Sequence, residues 1–575
     1  MAAKPFESRI QDLVYNVDVG IGLKLTQVAL YLLFVLVTML LYTATQFRGL
    51  KDAAAMDYGQ LGHNLATRHR FITQNIRPAS LWYLNRKTPG APLRTELHPD
   101  IVNAPLWPAV LAGGFKALHP PFVVDKPGKL YAPEQWVMIP LGHLFTLLTG
   151  LVMFFFGQRL FDRRVAVLAV TIFVLSDTVW RNSISGLGLS LVMFLVVTAC
   201  YLVHRAAAPG GREGVSSLTG WGKVAVIAAA LLCSLAFLTR YAAAVVAPAL
   251  ALYIGWSFRK KGWLWAAIFM AVFLAGISPW LARNAWISGN PLGLAPLSAM
   301  NETTYFEGNA FDRNLAPEVP AGKVWRELQT KWMTGLGQWV RRDAWSLGEG
   351  LFFALFLAAL FYRFISPPVH RLRWCLILAM LLLGLVAPLY GAETARLMTV
   401  FWPLVIIYGL AFFFILLDRL QLPARLFDLG TTTLVVVLSA LPLIFALLPP
   451  RVSPPYPPYY PPFVAHVSKM LAPDEMMCTD MPWATAWYGD KTSLLLPATL
   501  DQFYEINDYH RRVYGLYFTT LSRNKPYVSG LVTGPEKSWF PILEGRIPTD
   551  FPLNQGFPLN GLDQLFLTDR VRWGP

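Results

Sequence analysis

The stretch "LKLTQVALYLLFVLVTMLLYTATQF" (23–47) contains one charged side chain, Lys24, and decides what kind of fold the chain has. A helix needs about 20 consecutive apolar residues to cross a bilayer, and this run supplies them. It is too long for a signal-peptide core and ends without an A-x-A cleavage pattern, so it reads as a retained anchor. The sequence then turns polar. In "GLKDAAAMDYGQLGHNLATRHRF" (49–71), Asp57 stands among small and neutral residues just beyond the anchor. It is either a helix-capping aspartate or a carboxylate put to chemical use where membrane meets water.

Similar apolar runs recur at 133–156, 165–180, 186–204, 223–240, 242–258, 263–281, 349–365, 373–390, 397–417 and 430–448. Only 14% of the 575 residues are charged, against about 25% in soluble domains. The sequence therefore predicts a polytopic α-helical membrane protein with about eleven transmembrane helices. Near "LTRYAAAVVAP", Arg240 and Tyr241 separate two apolar halves, which fit two short spans or one broken helix with a re-entrant piece. The net charge of +15 comes without any nucleic-acid-binding motif, so nucleic acid is not expected as a partner. The four cysteines offer neither a disulfide framework nor a CxxC metal pattern.

The short loops set an orientation. With a cytoplasmic N-terminus, the inside loops are "QRLFDRR", "HRAAAPGGREG", "FRKKG", "YRFISPPVHRLR" and "DRLQLPARLFD", all basic. The opposite loops "SDTVWRNSISG" and "GAETAR" are less so, and the positive-inside rule then places the C-terminus outside. In a Gram-negative cell that side is the periplasm, and the expected location is the bacterial inner (plasma) membrane. Three long polar segments share it: loops 47–132 and 282–348, and everything after the membrane region 1–448. "MDYGQLGHNLATRHRF" and "IVNAPLWPAVLAGGFKAL" are expected as periplasmic helices, the first amphipathic, lying in the membrane interface. Residues 449–463 are Pro-rich and favour an extended linker; 464–575 are long enough for a small α/β periplasmic domain.

Several polar residues fall on this one face. Glu96 and His98 in "RTELHPDIVNAPLWP" are either solvated loop residues or ligands for a divalent metal ion. Arg240 at the end of a span either snorkels to the interface or meets a fixed anion such as a lipid-linked phosphate. In "GISPWLARNAWISGNPLG", Pro279 is expected to bend or end the helix, and Arg283 emerges beyond it. Glu393 and Arg396 in "YGAETARLMTVFWP" are either an i,i+3 ion pair or a phosphate-binding arginine oriented by a carboxylate.

The order of these pieces resembles the GT-C superfamily of membrane glycosyltransferases, specifically the bacterial relatives of protein O-mannosyltransferases and of the aminoarabinose transferase acting on lipid A (glycosyltransferase family 39-like). "AAAMDYGQLGHNLA" resembles the family's acidic motif, "ELHPDIVNAPLWPAVLAG" its Pro-rich loop segment and "LAFLTRYAA" its "GLA-LTKY" span. "SPWLARNAWISGNP" resembles its "PW-xRN…GNP" element, and "AETARLMTVFWPLV" its "ERYLLPLLP" helix. Two departures stand out: many relatives carry adjacent acidic residues where this chain has Asp57-Tyr58, and "ERY" becomes "ETAR".

The resemblance implies inverting transfer from a polyprenyl-phosphate sugar to a glycan, lipid or protein acceptor, with Asp57 as catalytic base. It implies Arg240, Arg283 and Arg396 at the donor phosphate, with Tyr58, His63, Tyr241 and Glu393 supporting the site. A divalent metal ion at Glu96 and His98 is implied less directly. The rival expectations are a secondary transporter, which would show paired repeats and broken helices, and a non-catalytic envelope assembly protein.

Overall fold

A computed structural model describes residues 21–87, 93–124, 129–207, 218–258, 261–318, 320–339, 341, 350–419, 425–448, 460–534, 536–557 and 564–573. Among them, eight helices are long and apolar enough to span a membrane: Gly22–Gln46, Glu134–Leu160, Leu189–Ala207, Gly220–Thr239, Gly262–Ser288, Pro367–Tyr390, Thr394–Arg419 and Leu429–Leu447. A ninth would be the pair Arg163–Val174 and Asp177–Ser183, bent by 61°.

Three of the eleven apolar runs are therefore not single long helices. The run at 165–180 breaks because Ser176 is extended and Asp177 begins a new turn, its carboxylate accepting from Tyr42 and pairing with Arg181. The run at 242–258 is a 3-10 turn, Tyr241–Val245, followed by the short helix Val246–Ser257. The run at 349–365 yields only the helix Leu351–Ala359. Pro279 does not end its helix, which continues to Ser288 and stops where Gly289 takes a left-handed conformation, φ 80°.

The first helix, α1 (Ile21–Gln46), delivers the chain to a layer built from all three polar segments. There α2 (Ala53–Arg68), α3 (Pro78–Lys87) and α4 (Leu106–Leu118) come from the first loop. α2 was expected as an amphipathic helix lying in the membrane interface. Instead Ala55 through Gly62 are all buried, because α2 packs between α4 and the helix Pro482–Gly489. Gly59 and Gly62 permit this closeness: a Cβ on Gly59 would sit 2.9 Å from the Trp487 ring, and one on Gly62 2.9 Å from Leu111. Overpacking such a contact costs about 1–3 kcal/mol. Gly59→Ala is expected to lower the thermal midpoint of the purified protein and expose 482–489 to limited proteolysis, while Ala55→Gly, in the same helix, leaves those sites protected.

Residues after 460 form an α/β unit around a six-stranded sheet of order β1-β3-β2-β4-β6-β5. The strands are β1 (Asn75–Ile76), β2 (Met476–Thr479), β3 (Ser493–Leu495), β4 (Val513–Phe518), β5 (Gln555–Phe557) and β6 (Leu565–Thr568). The first four pair in parallel, and β6 with its neighbours antiparallel. The sheet and core reach beyond residues 464–575. Edge strand β1 comes from the first loop, and Ile76, Leu81 and Leu315 share one apolar core with Met476, Cys478, Phe503 and Trp539. Most of the linker expected at 449–463 lies outside the described residues; its end, from Pro461, is the first turn of the helix Pro461–Lys469.

Candidate active site

Asp57 lies in the first turn and a half of α2 and is 2% exposed. It does not cap that helix. Asp52 occupies the N-cap position, and Asn75 Nδ2 donates to Asp57 Oδ1 at 2.6 Å while Arg77 Nη2 donates to Oδ2 at 2.8 Å. Burial pushes the carboxyl up to about 6. The Arg77 charge and then the Asn75 hydrogen bond hold it down, and Asp100 opposes them. Each carboxylate oxygen keeps a second acceptor direction, so the group is positioned by two donors yet still able to take a proton.

Arg77 in turn is faced by three carboxylates, Asp57, Asp312 and Asp100. Asp100 is itself fixed, accepting from the backbone N–H groups of Val102 and Asn103 and from Asn103 Nδ2. Sequence reading singled out neither Asn75 nor Arg77. "TQNIRPAS" carries no periodicity, and its one strand exists only by pairing with β3, some four hundred residues later in the chain.

The arginines reach this neighbourhood in different ways. Arg240 sits where the helix Gly220–Thr239 gives way to extended backbone, and its Nη1 donates to Tyr58 Oη at 3.0 Å. The adjacent Tyr241 donates from Oη to the Asn103 carbonyl and accepts from Trp280 Nε1. Arg283 is a clamp. It donates to the carbonyls of Asp100 and Phe71 and to Asn284 Oδ1, and it packs over Trp280. Arg396, half-exposed, donates from Nη1 to both oxygens of the Asp52 carboxylate, at 2.8 Å each. The side chain of Glu393 lies outside the described residues.

Glu96 and His98 are not brought together. Glu96 points outward, 3.9 Å from Arg511, with its side chain 82% exposed. His98 is buried; Nδ1 lies 2.7 Å from the Arg94 carbonyl and Nε2 2.9 Å from Ser80 Oγ, and burial lowers its pKa. With both ring nitrogens engaged, this pair does not fit a metal ion. Among the described residues no group of three His, Cys, Asp or Glu side chains is arranged to hold one. The His63 ring stacks on Phe122 with centroids 3.8 Å apart.

No protein-family model matches the chain, and no curated protein matches it in sequence. Its fold does match solved structures. ArnT from Cupriavidus metallidurans bound to undecaprenyl phosphate superposes with a TM-score of 0.56 at 11% identity, covering 96% of this chain and 99% of that one. The Archaeoglobus fulgidus oligosaccharyltransferase in complex with Zn and sulfate gives 0.56 at 12% identity, covering 87% and 69%. Archaeal oligosaccharyltransferase AglB from the same organism, with an inhibitory peptide and a dolichol-phosphate, gives 0.55 at 12%, covering 89% and 72%. These likenesses, at 11–12% identity, are of fold alone: the chain has the fold seen in ArnT and in the archaeal oligosaccharyltransferase.

Proposed function

We propose that the chain is an integral-membrane glycosyltransferase. In this reading it moves a sugar from a polyprenyl-phosphate donor to a lipid, glycan or protein acceptor on the periplasmic face of the inner membrane. The observation that carries the reading is the Asp57 carboxylate: buried just past the first span, held by Asn75 and Arg77, in a GT-C fold. The orientation is supported by the basic short loops, which leave the layer bearing Asp57 on the non-cytosolic side.

In the reaction, Asp57 takes the proton of the acceptor hydroxyl or amine as that atom attacks the sugar's anomeric carbon. The bond from that carbon to the phosphate oxygen breaks, and the electron pair leaves with the polyprenyl phosphate. Attack opposite the leaving group inverts the centre. The energy resides in the donor's phosphate bond, and guanidinium groups stabilise the departing charge. Arg240, beside Tyr58, and Arg396, on Asp52, are the groups assigned to the phosphate. Arg283 serves by holding the Asp100 loop in place. No step is routed through a metal ion.

The test is a comparison, by mass spectrometry, of membrane glycolipids and glycoproteins from cells expressing the wild type or Asp57→Asn. The expected result is a modified species present only with the wild type; an identical profile from both proteins at equal expression would refute the assignment. The pH dependence follows from the same group. A base must be ionised, so transfer is expected to fall as pH drops through about 6 and to level off above it. A pH–rate profile in membranes that stayed flat from pH 5 to 8 would count against Asp57.

A further inference from the structure

The two donors that hold Asp57 do not stand on α2. Asn75 is a residue of β1, and Arg77 follows that strand immediately. β1 is in turn the edge of the C-terminal sheet. Asn75 is in register with Ser493 and Ile76 with Leu494, and Ser493 N–H donates to the Gln74 carbonyl at 2.8 Å. Gln74 Nε2 donates to Asp490 Oδ1 at 2.8 Å, and Ile76 is fully buried in the core of the C-terminal unit. A two-residue strand has no independent stability; β3 holds β1 on one side, while Gln60 and Asn64 of α2 hold the Gln74 N–H and the Ile72 carbonyl just before it.

A second tether reaches Arg77 from the other loop. Asp312 faces Arg77, and the next residue, Arg313, is buried in the C-terminal unit as a bidentate partner of Glu536.

We propose that the C-terminal α/β unit is part of the catalytic centre. By seating β1 against β3, it fixes Asn75 and Arg77 on the Asp57 carboxylate. Arg77 is then a positioning residue, and displacement of the sheet edge, for instance when an acceptor engages the unit, would release the carboxylate from its cation. The inference rests on the reading of Asp57 as the base.

Among the described residues, the groups acting on Asp57 are Arg77, Asn75 and Asp100, and Arg240 bonds its neighbour Tyr58. From the elements packed on α2, α4 contributes Lys116, which lies against His69 at the far end of α2, and the helix Pro482–Gly489 carries no charged side chain. Asp490 bonds Gln74 and caps the helix Pro482–Gly489, so a change there reaches the carboxylate through the strand and through that helix's packing on α2.

The experiment is an infrared pH titration of the purified full-length protein in detergent. It follows the protonated-carboxyl stretch that is absent from Asp57→Asn. Removing an opposite charge in contact raises a carboxyl pKa by about 1–3 units. Arg77→Gln is therefore expected to move the midpoint up by about one unit or more, and Arg77→Lys to restore part of the shift. Asp490→Gly, which tolerates the left-handed backbone at 490 (φ 46°), and Ser493→Pro, which removes the donated N–H, are expected to move it upward with Arg77 intact.

An unmoved midpoint in Arg77→Gln, or in Asp490→Gly, would overturn the inference. Asp490→Gly decides should Ser493→Pro fail to fold. Because the readout needs no turnover, the two readings separate. Retained transfer in Asp57→Asn with shifted midpoints would remove the base and leave the positioning. Lost transfer with unmoved midpoints would do the reverse.

Discussion

Asp57→Asn is expected to lower the transfer rate by about 10²–10⁴-fold, the range of a positioned general base. The substitution is nearly isosteric, and the local charge balance explains why the protein should still fold. Arg77 would lose its nearest carboxylate but keep Asp100 and Asp312, so its buried charge stays compensated. The amide oxygen can still accept from Asn75, whereas the amide nitrogen would face Arg77 with a donor against a donor. A modest fall in thermal midpoint is therefore expected alongside the large kinetic loss. Transfer at the wild-type rate by a well-expressed Asp57→Asn would remove the base assignment, whatever the fold resembles.

The parts of this site legible in the sequence are those whose meaning is local. Asp57 could be singled out because it follows the anchor in a neutral stretch, and Arg240 because a guanidinium at the end of an apolar run is costly unless it meets a polar partner. The eight long spans were legible for the same reason, since length and hydropathy are properties of contiguous residues. What could not be read depends on contacts between distant segments. Arg77 and Asn75 acquire a role only when β1 pairs with β3. Arg283 was legible as important, but its guanidinium goes to the carbonyls of Phe71 and Asp100. Glu96 and His98, two apart in sequence, point to different surroundings because Leu97 between them adopts φ 48°. The burial of α2 was equally illegible: its outer face is covered by Trp487, from the far end of the chain.

The second large effect concerns Arg313, which joins the second loop to the C-terminal unit. Its guanidinium is 4% exposed and Glu536 0%; two bonds join them at 2.6 and 2.7 Å, and Lys525 also reaches Glu536. Arg313 further donates to the carbonyls of Leu496 and Pro497. Removing one member of a buried pair costs about 3–5 kcal/mol, because the other is left charged and poorly solvated. Arg313→Met is expected to lose about that much, read as a lower thermal midpoint and new proteolytic cleavage near 310–320. The double variant Arg313→Met with Glu536→Leu should recover only part of it, since the two carbonyls still lack their donor. The pH dependence has a definite sign. Arg313, then Lys525, hold the Glu536 carboxyl below its ordinary range against the effect of burial. Its contribution is therefore full above about pH 4.3, the unfolded value, and is lost as pH falls toward the depressed folded value. The wild type should show this acid-side loss in full and Arg313→Met a smaller one, since Lys525 remains on Glu536; equal acid sensitivity in the two proteins would mean that the pair does not hold the loop in place.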